Sequence, residues 1–143
     1  MCNFRVLVFA LLLILTPEVQ SNEQMSVNVN KVNQFVAAFN AQDSHAMVRL
    51  VVDEVEWISI VSNETVVEVR GKNKLIESMG TYFKSCSTCR SELSEMIATT
   101  SRVSAIEVAS WQGKSGLKSQ RAISVYEFSD GLITRVYYFP SEK

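Results

Sequence analysis

Along the first third of the chain, apolar residues recur first at helical spacing and then in alternation. Val32, Phe35, Val36 and Phe39 form the stripe of an amphipathic helix. That helix is expected to begin within Glu23–Asn30, where Ser26, Asn28 and Asn30 are helix-start residues, and to stop at Asn40-Ala41-Gln42-Asp43. Asp43 or Ser44 caps a second short helix, whose inner face is Met47, Leu50 and Val51. From Val55 to Val61 the period falls to two, with Val55, Trp57, Ser59 and Val61 alternating against Glu56, Ile58 and Ile60, which is the signature of a strand. Val66–Val69 reads as a second strand, ended by Arg70-Gly71. Lys72–Lys84 returns to helical spacing through Leu75, Ile76, Met79 and Phe83.

The remainder reads as four strands, Glu92–Ala98, Val103–Gln112, Leu117–Phe128 and Leu132–Phe139. Short polar breaks separate them: Thr99-Thr100-Ser101, Gly113-Lys114-Ser115-Gly116 and Ser129-Asp130-Gly131, the composition of hairpin turns. Helices followed by a strand meander predict an α+β domain, with helices packed on one face of an antiparallel sheet. The last two strands are apolar on both sides. Ala122, Ser124 and Tyr126 oppose Ile123 and Val125; Ile133, Tyr137 and Phe139 oppose Leu132, Val136 and Tyr138. A sheet with one wet face alternates more cleanly, so the outer face, Ile123, Val125, Leu132, Val136 and Tyr138, is expected to be covered by a second copy.

The 143 residues are a one-domain length. Met1-Cys2-Asn3-Phe4-Arg5, the apolar run Val6–Leu15, and Thr16-Pro17-Glu18 followed by Val19-Gln20-Ser21 have the layout of a secretory signal peptide. The run is well short of the roughly 20 residues of a membrane span. The sequence thus divides into a signal over 1–21 and a single domain over 22–143, exported to a secreted or periplasmic location, with no membrane span after cleavage. A net charge of −1 with interspersed signs supplies no basic stripe for nucleic acid, and a single histidine, His45, rules out a histidine-rich metal site. No cofactor is indicated. Cys86 and Cys89 are the two cysteines left after cleavage, and an oxidising compartment favours a disulfide between them. Their place after a helix C-terminus works against a reactive thiolate. Asn63-Glu64-Thr65 is a glycosylation sequon in a loop.

FVAAFNAQDSHAMVRLVVDEVEW, then VRGKNKLIESMGTYF, then strands ending in FSDGLITRVYYF, resemble the nuclear transport factor 2-like superfamily, and within it the SnoaL-like and ketosteroid-isomerase-like branch. The resemblance covers nearly all of Val27–Phe139. It implies a cone-shaped, curved antiparallel sheet packed on the N-terminal helices and enclosing a largely apolar pocket, in a protein that is often dimeric. Superfamily members include isomerases, cyclases, dehydratases, hydrolases and non-catalytic modules, so fold alone does not assign function. Ketosteroid isomerases use a carboxylate base, a tyrosine donor and a protonated aspartic acid. Laid on that pattern, the tyrosine position is Phe35, the base position Ser59 and the acid position Ser124, none of which can fill its role.

Continuing the strand alternation points Glu107 and Trp111 inward from one strand, and Arg135 and Tyr137 from another. The pocket lining expected is Phe35, Phe39, Trp57, Ser59, Tyr82, Trp111, Ser124, Arg135 and Tyr137, with Arg135 as an anchor for an acidic group. A one-residue register change would instead leave Glu107 solvated. Three functions remain open: binding of a small, mainly apolar molecule; catalysis on the same scaffold, for which Glu107 is the one acid–base candidate; and a non-catalytic dimeric assembly module.

Overall fold

The computed structural model describes residues 16–140. The apolar core of the expected signal lies outside the described residues. In chain order the elements are α1 (Pro17–Asn40), α2 (Ser44–Val48), β1 (Val51–Val61), β2 (Glu64–Arg70), α3 (Lys72–Ser85), β3 (Arg90–Ala98), β4 (Arg102–Gly113), β5 (Gly116–Ser129) and β6 (Leu132–Pro140). The six strands form one curved, open sheet in the order β2-β1-β6-β5-β4-β3. Every neighbouring pair is antiparallel except β1 and β6, which run parallel. The helices pack on one face, giving the α+β architecture that the strand and helix periods predict. The core gathers Val32 and Phe35 from α1, Met47 from α2, Leu75 from α3, and Val51, Val103, Tyr126, Ile133 and Val136 from the sheet.

Local chemistry accounts for most boundaries. The Asp43 carboxylate accepts from the Ala46 N–H at 2.8 Å and caps α2. Asp130 and Gly131 both take positive φ, 50° and 73°, between the paired Ser129 and Leu132, which is the two-residue hairpin an Asp-Gly pair favours. Helix α1 begins earlier than its apolar stripe suggests. Pro17 occupies the first helical turn, where its missing N–H needs no partner. Asn28, expected near the helix start, instead sits in mid-helix with no exposure. Its carboxamide donates to the Thr100 carbonyl at 3.1 Å and accepts from Gln24 at 2.9 Å, tying α1 to the β3–β4 turn. Val51, expected on α2, is the buried first residue of β1.

The faces of β6 depart from simple alternation. Phe128 pairs with Ile133 but Glu127 pairs with Arg135, so Thr134 is an extra residue and the alternation inverts beyond it, as a bulge requires. Two expected outer-face residues are therefore inward: Val136 is a core residue at 1% exposure, and Tyr138 faces the interior. Arg135 and Tyr137, expected inward, lie on the outer face instead. There Arg135 donates to Glu56 at 3.0 Å and to Glu127 at 3.2 Å, and the Tyr137 hydroxyl reaches Glu127 at 3.5 Å. Glu56 also meets Arg70 at 2.7 Å, and Glu127 meets Arg102 at 2.9 Å. The result is an alternating chain of charge across five strands. Burial raises the Glu127 pKa, but hydrogen bonds and charge from Arg102 and Arg135 outweigh it and hold the carboxyl below its ordinary value. Single exposed pairs contribute about 0–1 kcal/mol; here two sunken carboxylates are shared among three arginines.

Candidate functional site

Between α1, α3 and the concave face of the sheet lies a cavity of about 340 Å³, a size suited to a small molecule. Helix α1 contributes Phe35, Val36 and Phe39, because the stripe that packs on the sheet continues past the edge of the core. Met79 and Tyr82 come from α3. The sheet supplies Trp57, Glu68, Ser91, Glu107, Ala109, Tyr126 and Tyr138. The rings brace one another: Phe35 lies 6.2 Å from Trp57 and 6.1 Å from Tyr126 between centroids, and Phe39 lies 5.8 Å from Tyr82 and 5.4 Å from Phe83. Such pairs fix ring orientation as well as adding burial.

Glu107 is the chemical centre of this lining. It is 8% exposed and points inward from β4, on the same face as Val103 and Ala105. The Ser91 hydroxyl donates to it at 2.7 Å, and the Tyr126 hydroxyl makes a longer approach at 3.5 Å. Among the described residues no cation bonds to it. Burial therefore raises the Glu107 pKa, and hydrogen bonds from Ser91, Ser124 and Tyr126 recover only part of that shift. Its neighbours respond in kind. Burial, then the charge on Glu107, raises Tyr82 and pushes Tyr126 well up; burial, Glu107 and Tyr82 together carry Tyr138 to about 12. The Ser124 hydroxyl has no exposure and no hydrogen bond of regular geometry, although it sits close enough to Glu107 to favour the charged carboxylate.

The Ser91 hydroxyl is held by its backbone. Ser91 lies at the start of β3, an edge strand, where its N–H donates to the Asn40 carboxamide oxygen and its carbonyl accepts from the Asn40 nitrogen, each at 2.8 Å. Asn40, the last residue of α1, thus occupies the position of a further strand. The preceding loop carries the Cys86–Cys89 disulfide, with α-carbons 5.4 Å apart, inside the range such a bond needs. Gln42 donates to the Ser87 carbonyl at 2.8 Å, and the Gln112 N–H donates to the Thr88 hydroxyl at 3.0 Å. The loop is fastened on both sides just before Ser91.

Of the residues expected to line a pocket, Phe35, Phe39, Trp57 and Tyr82 surround this cavity together with Glu107. Ser59 lies two residues beyond Trp57 and outside the lining. Trp111 shares the face of Glu107 and Ala109 but falls past the cavity end, and Ser124 is buried below it. Arg135 and Tyr137 are on the opposite face because of the Thr134 bulge. Sequence reasoning missed Ser91, which stood outside the expected strand, and Tyr138, which the bulge reversed. It also missed Glu68: Trp57 pairs with Val69 and Ile58 with Val67, leaving Glu68 as an extra residue on β2. Tyr126 was placed on the inner face but not assigned to the site. His45 and Asn63 are exposed. Among the described residues no group of three or more His, Cys, Asp or Glu is arranged to hold a metal, and no helix is long and apolar enough to cross a membrane.

The same fold occurs in solved structures. Bal32a, from a soil-derived mobile gene cassette, matches with a TM-score of 0.70 at 17% identity, over 83% of this chain and 92% of its own. An NTF2-like protein of unknown function from Burkholderia pseudomallei matches at 0.68 and 15% identity, over 82% and 92%. TerC, co-crystallised with polyporic acid, matches at 0.66 and 16% identity, over 80% and 92%. Among curated proteins none matches the chain in sequence. The sequence profile of the SnoaL-like domain matches residues 32–136, from the middle of α1 into β6. A match of that extent shows that the chain belongs to the SnoaL-like domain family, a branch of the nuclear transport factor 2-like superfamily.

Proposed function

We propose that this is an exported protein that binds a small, mainly apolar molecule in the cavity under α1, with Glu107 meeting a polar group of that molecule. The observation that carries the reading is one buried carboxyl set in an otherwise largely aromatic cavity and held by hydroxyl donors alone. Ligand sites are commonly built this way, with broad apolar walls and few convergent polar groups. The co-crystallisation of TerC with polyporic acid supports ligand holding on this fold. Titration in a Trp111→Phe background, where Trp57 is the remaining tryptophan, tests the reading against a panel of small hydrophobic molecules. Saturable quenching that Ala109→Trp abolishes, by filling the cavity, is the expected result. Unchanged binding in Ala109→Trp overturns it.

A second reading, catalysis with Glu107 as proton carrier, is favoured by the same burial, since a raised carboxyl pKa suits acid–base work near neutral pH. Isomerase, cyclase, dehydratase and hydrolase chemistry all fit that role. Turnover that Glu107→Gln removes while binding survives would select it.

Export rests on the signal layout of residues 1–21 and on a disulfide of the kind that persists in oxidising compartments. None of the buried residues of α1 precedes Asn28, so a chain trimmed through Ser21 keeps its core. Two copies pair through the outer face around Ile123, which is 49% exposed, with Val125 two residues along β5 and Leu132 at the far end of the β5–β6 hairpin. A wild-type sample that sediments as a monomer at high concentration refutes that pairing, which would also remove the assembly-module alternative.

A further inference from the structure

The charges of the cavity are all of one sign. Glu107 lies within it and Glu68 stands in its wall, while among the described residues no Lys, Arg or His lines it. The arginine that the sequence offered as an anchor for an acidic ligand, Arg135, is on the far side of the sheet, bound to Glu56 and Glu127. An anionic ligand would thus bring a second negative charge to Glu107 without any counter-charge. A neutral apolar ligand would displace water and leave the desolvated carboxyl as costly as before. A cation supplies the counter-charge that the site lacks.

The walls have the complementary chemistry. Phe35 lies tilted at 42° to Trp57 and nearly edge-on to Tyr126, at 73°. Six aromatic residues line the cavity in all, and aromatic rings attract an ammonium group through their quadrupoles, most strongly when the group is desolvated. Among the described residues the polar groups around Glu107 are all hydroxyls: Ser91 from β3, Ser124 and Tyr126 from β5, Tyr138 from β6 and Tyr82 from α3. None can neutralise it.

We propose that the cavity selects a hydrophobic organic cation, a protonated amine or quaternary ammonium seated against Glu107 and boxed by the surrounding aromatic rings. The proposal rests on the small-molecule reading above and names the ligand class. It carries a linked consequence. Burial raises the Glu107 pKa in the empty cavity and a bound cation favours the carboxylate, so protonation and cation binding oppose one another and affinity falls as pH is lowered through the Glu107 titration.

Calorimetric titration of the disulfide-bonded protein near neutral pH, with three probes of similar size, decides the matter. The probes are benzyltrimethylammonium, its uncharged carbon isostere neopentylbenzene, and 3-phenylpropionate. The expected result is binding of the cation at least about tenfold tighter than the isostere, no binding of the carboxylate, and a cation affinity that falls when the titration is repeated at lower pH. Glu107→Gln should shrink the preference for the cation over the isostere to what the rings alone contribute, and an unchanged preference would overturn the role of Glu107. Equal or tighter binding of the isostere or the carboxylate by wild type overturns the cation assignment and leaves the small-molecule reading standing. Failure of all three probes, together with an unaltered response in Ala109→Trp, overturns both. Should Glu107→Gln not fold, the three-probe comparison in wild type still decides.

Discussion

Replacing Asn40 with alanine should destabilise the domain well beyond what a half-buried polar side chain at a helix end would suggest. Ser91 is 4% exposed, and its N–H and carbonyl point away from β4 toward the open edge of the sheet. The Asn40 carboxamide satisfies both at 2.8 Å. Truncation leaves two backbone groups without partners, each worth about 1–3 kcal/mol when buried. Asn40 itself is half-buried, so water reaches part of the gap and the lower part of that range applies. The expected loss is roughly 2–4 kcal/mol, or a fall in Tm on the order of 10 °C for a domain of this size. Asn40→Asp keeps the acceptor for the Ser91 N–H but sets a carboxylate against the Ser91 carbonyl, so it should not restore stability. Urea unfolding followed by tryptophan fluorescence and far-ultraviolet dichroism gives the measurement, with coincident transitions as the two-state check. An Asn40→Ala midpoint within about 0.5 kcal/mol of wild type, the ordinary range for a surface change, would refute the reasoning.

The buried acid should show in the pH dependence of stability. The folded pKa of Glu107 lies above its ordinary value of 4.5, so its contribution is fully present below 4.5 and is lost as pH rises through the folded value. Glu107→Gln should match wild type in acid, exceed it near neutral pH and give a flatter profile; parallel profiles would contradict the assignment of burial as the cause. In protein trimmed through Ser21, the Cys86–Cys89 bond should leave no thiol to alkylate without reductant, and its reduction should lower stability by no more than the low end of ~2–4 kcal/mol, because the closed loop is very short. Intact mass after alkylation reads the first, and a gain of two alkyl groups would disprove it.

Periodicity made the fold legible because each element holds its period long enough to declare itself. Phe35 and Phe39 on α1, and Leu75, Met79 and Phe83 on α3, are where helical spacing puts them. The candidate site was half legible for the same reason: Phe35, Phe39, Trp57, Tyr82 and Glu107 follow from unbroken periods. The other half depends on bulges, where two residues share one face and all later parity reverses. Thr134-Arg135, two polar residues in succession within an apolar strand, is the trace of one such bulge in the sequence. The extra residue Glu68 leaves no comparable trace. Ser91 was hidden for a different reason: its importance comes from Asn40, 51 residues earlier, and no local pattern announces that contact.

The placement of β6 between β1 and β5 sets the order in which the sheet can be completed. The strand formed last in sequence is central in space, and the Arg135–Glu56 contact across its parallel seam spans 79 residues. Until β6 is available, β1 has only β2 for a partner, and an isolated two-stranded hairpin is marginal in water. Closing so long a span before any reward makes folding slow. A chain emerging from a ribosome or a translocation channel therefore keeps its two sheet halves apart until Leu132–Pro140 arrives, and a stop codon placed after Ser129 would delete not a tail but the keystone of the sheet.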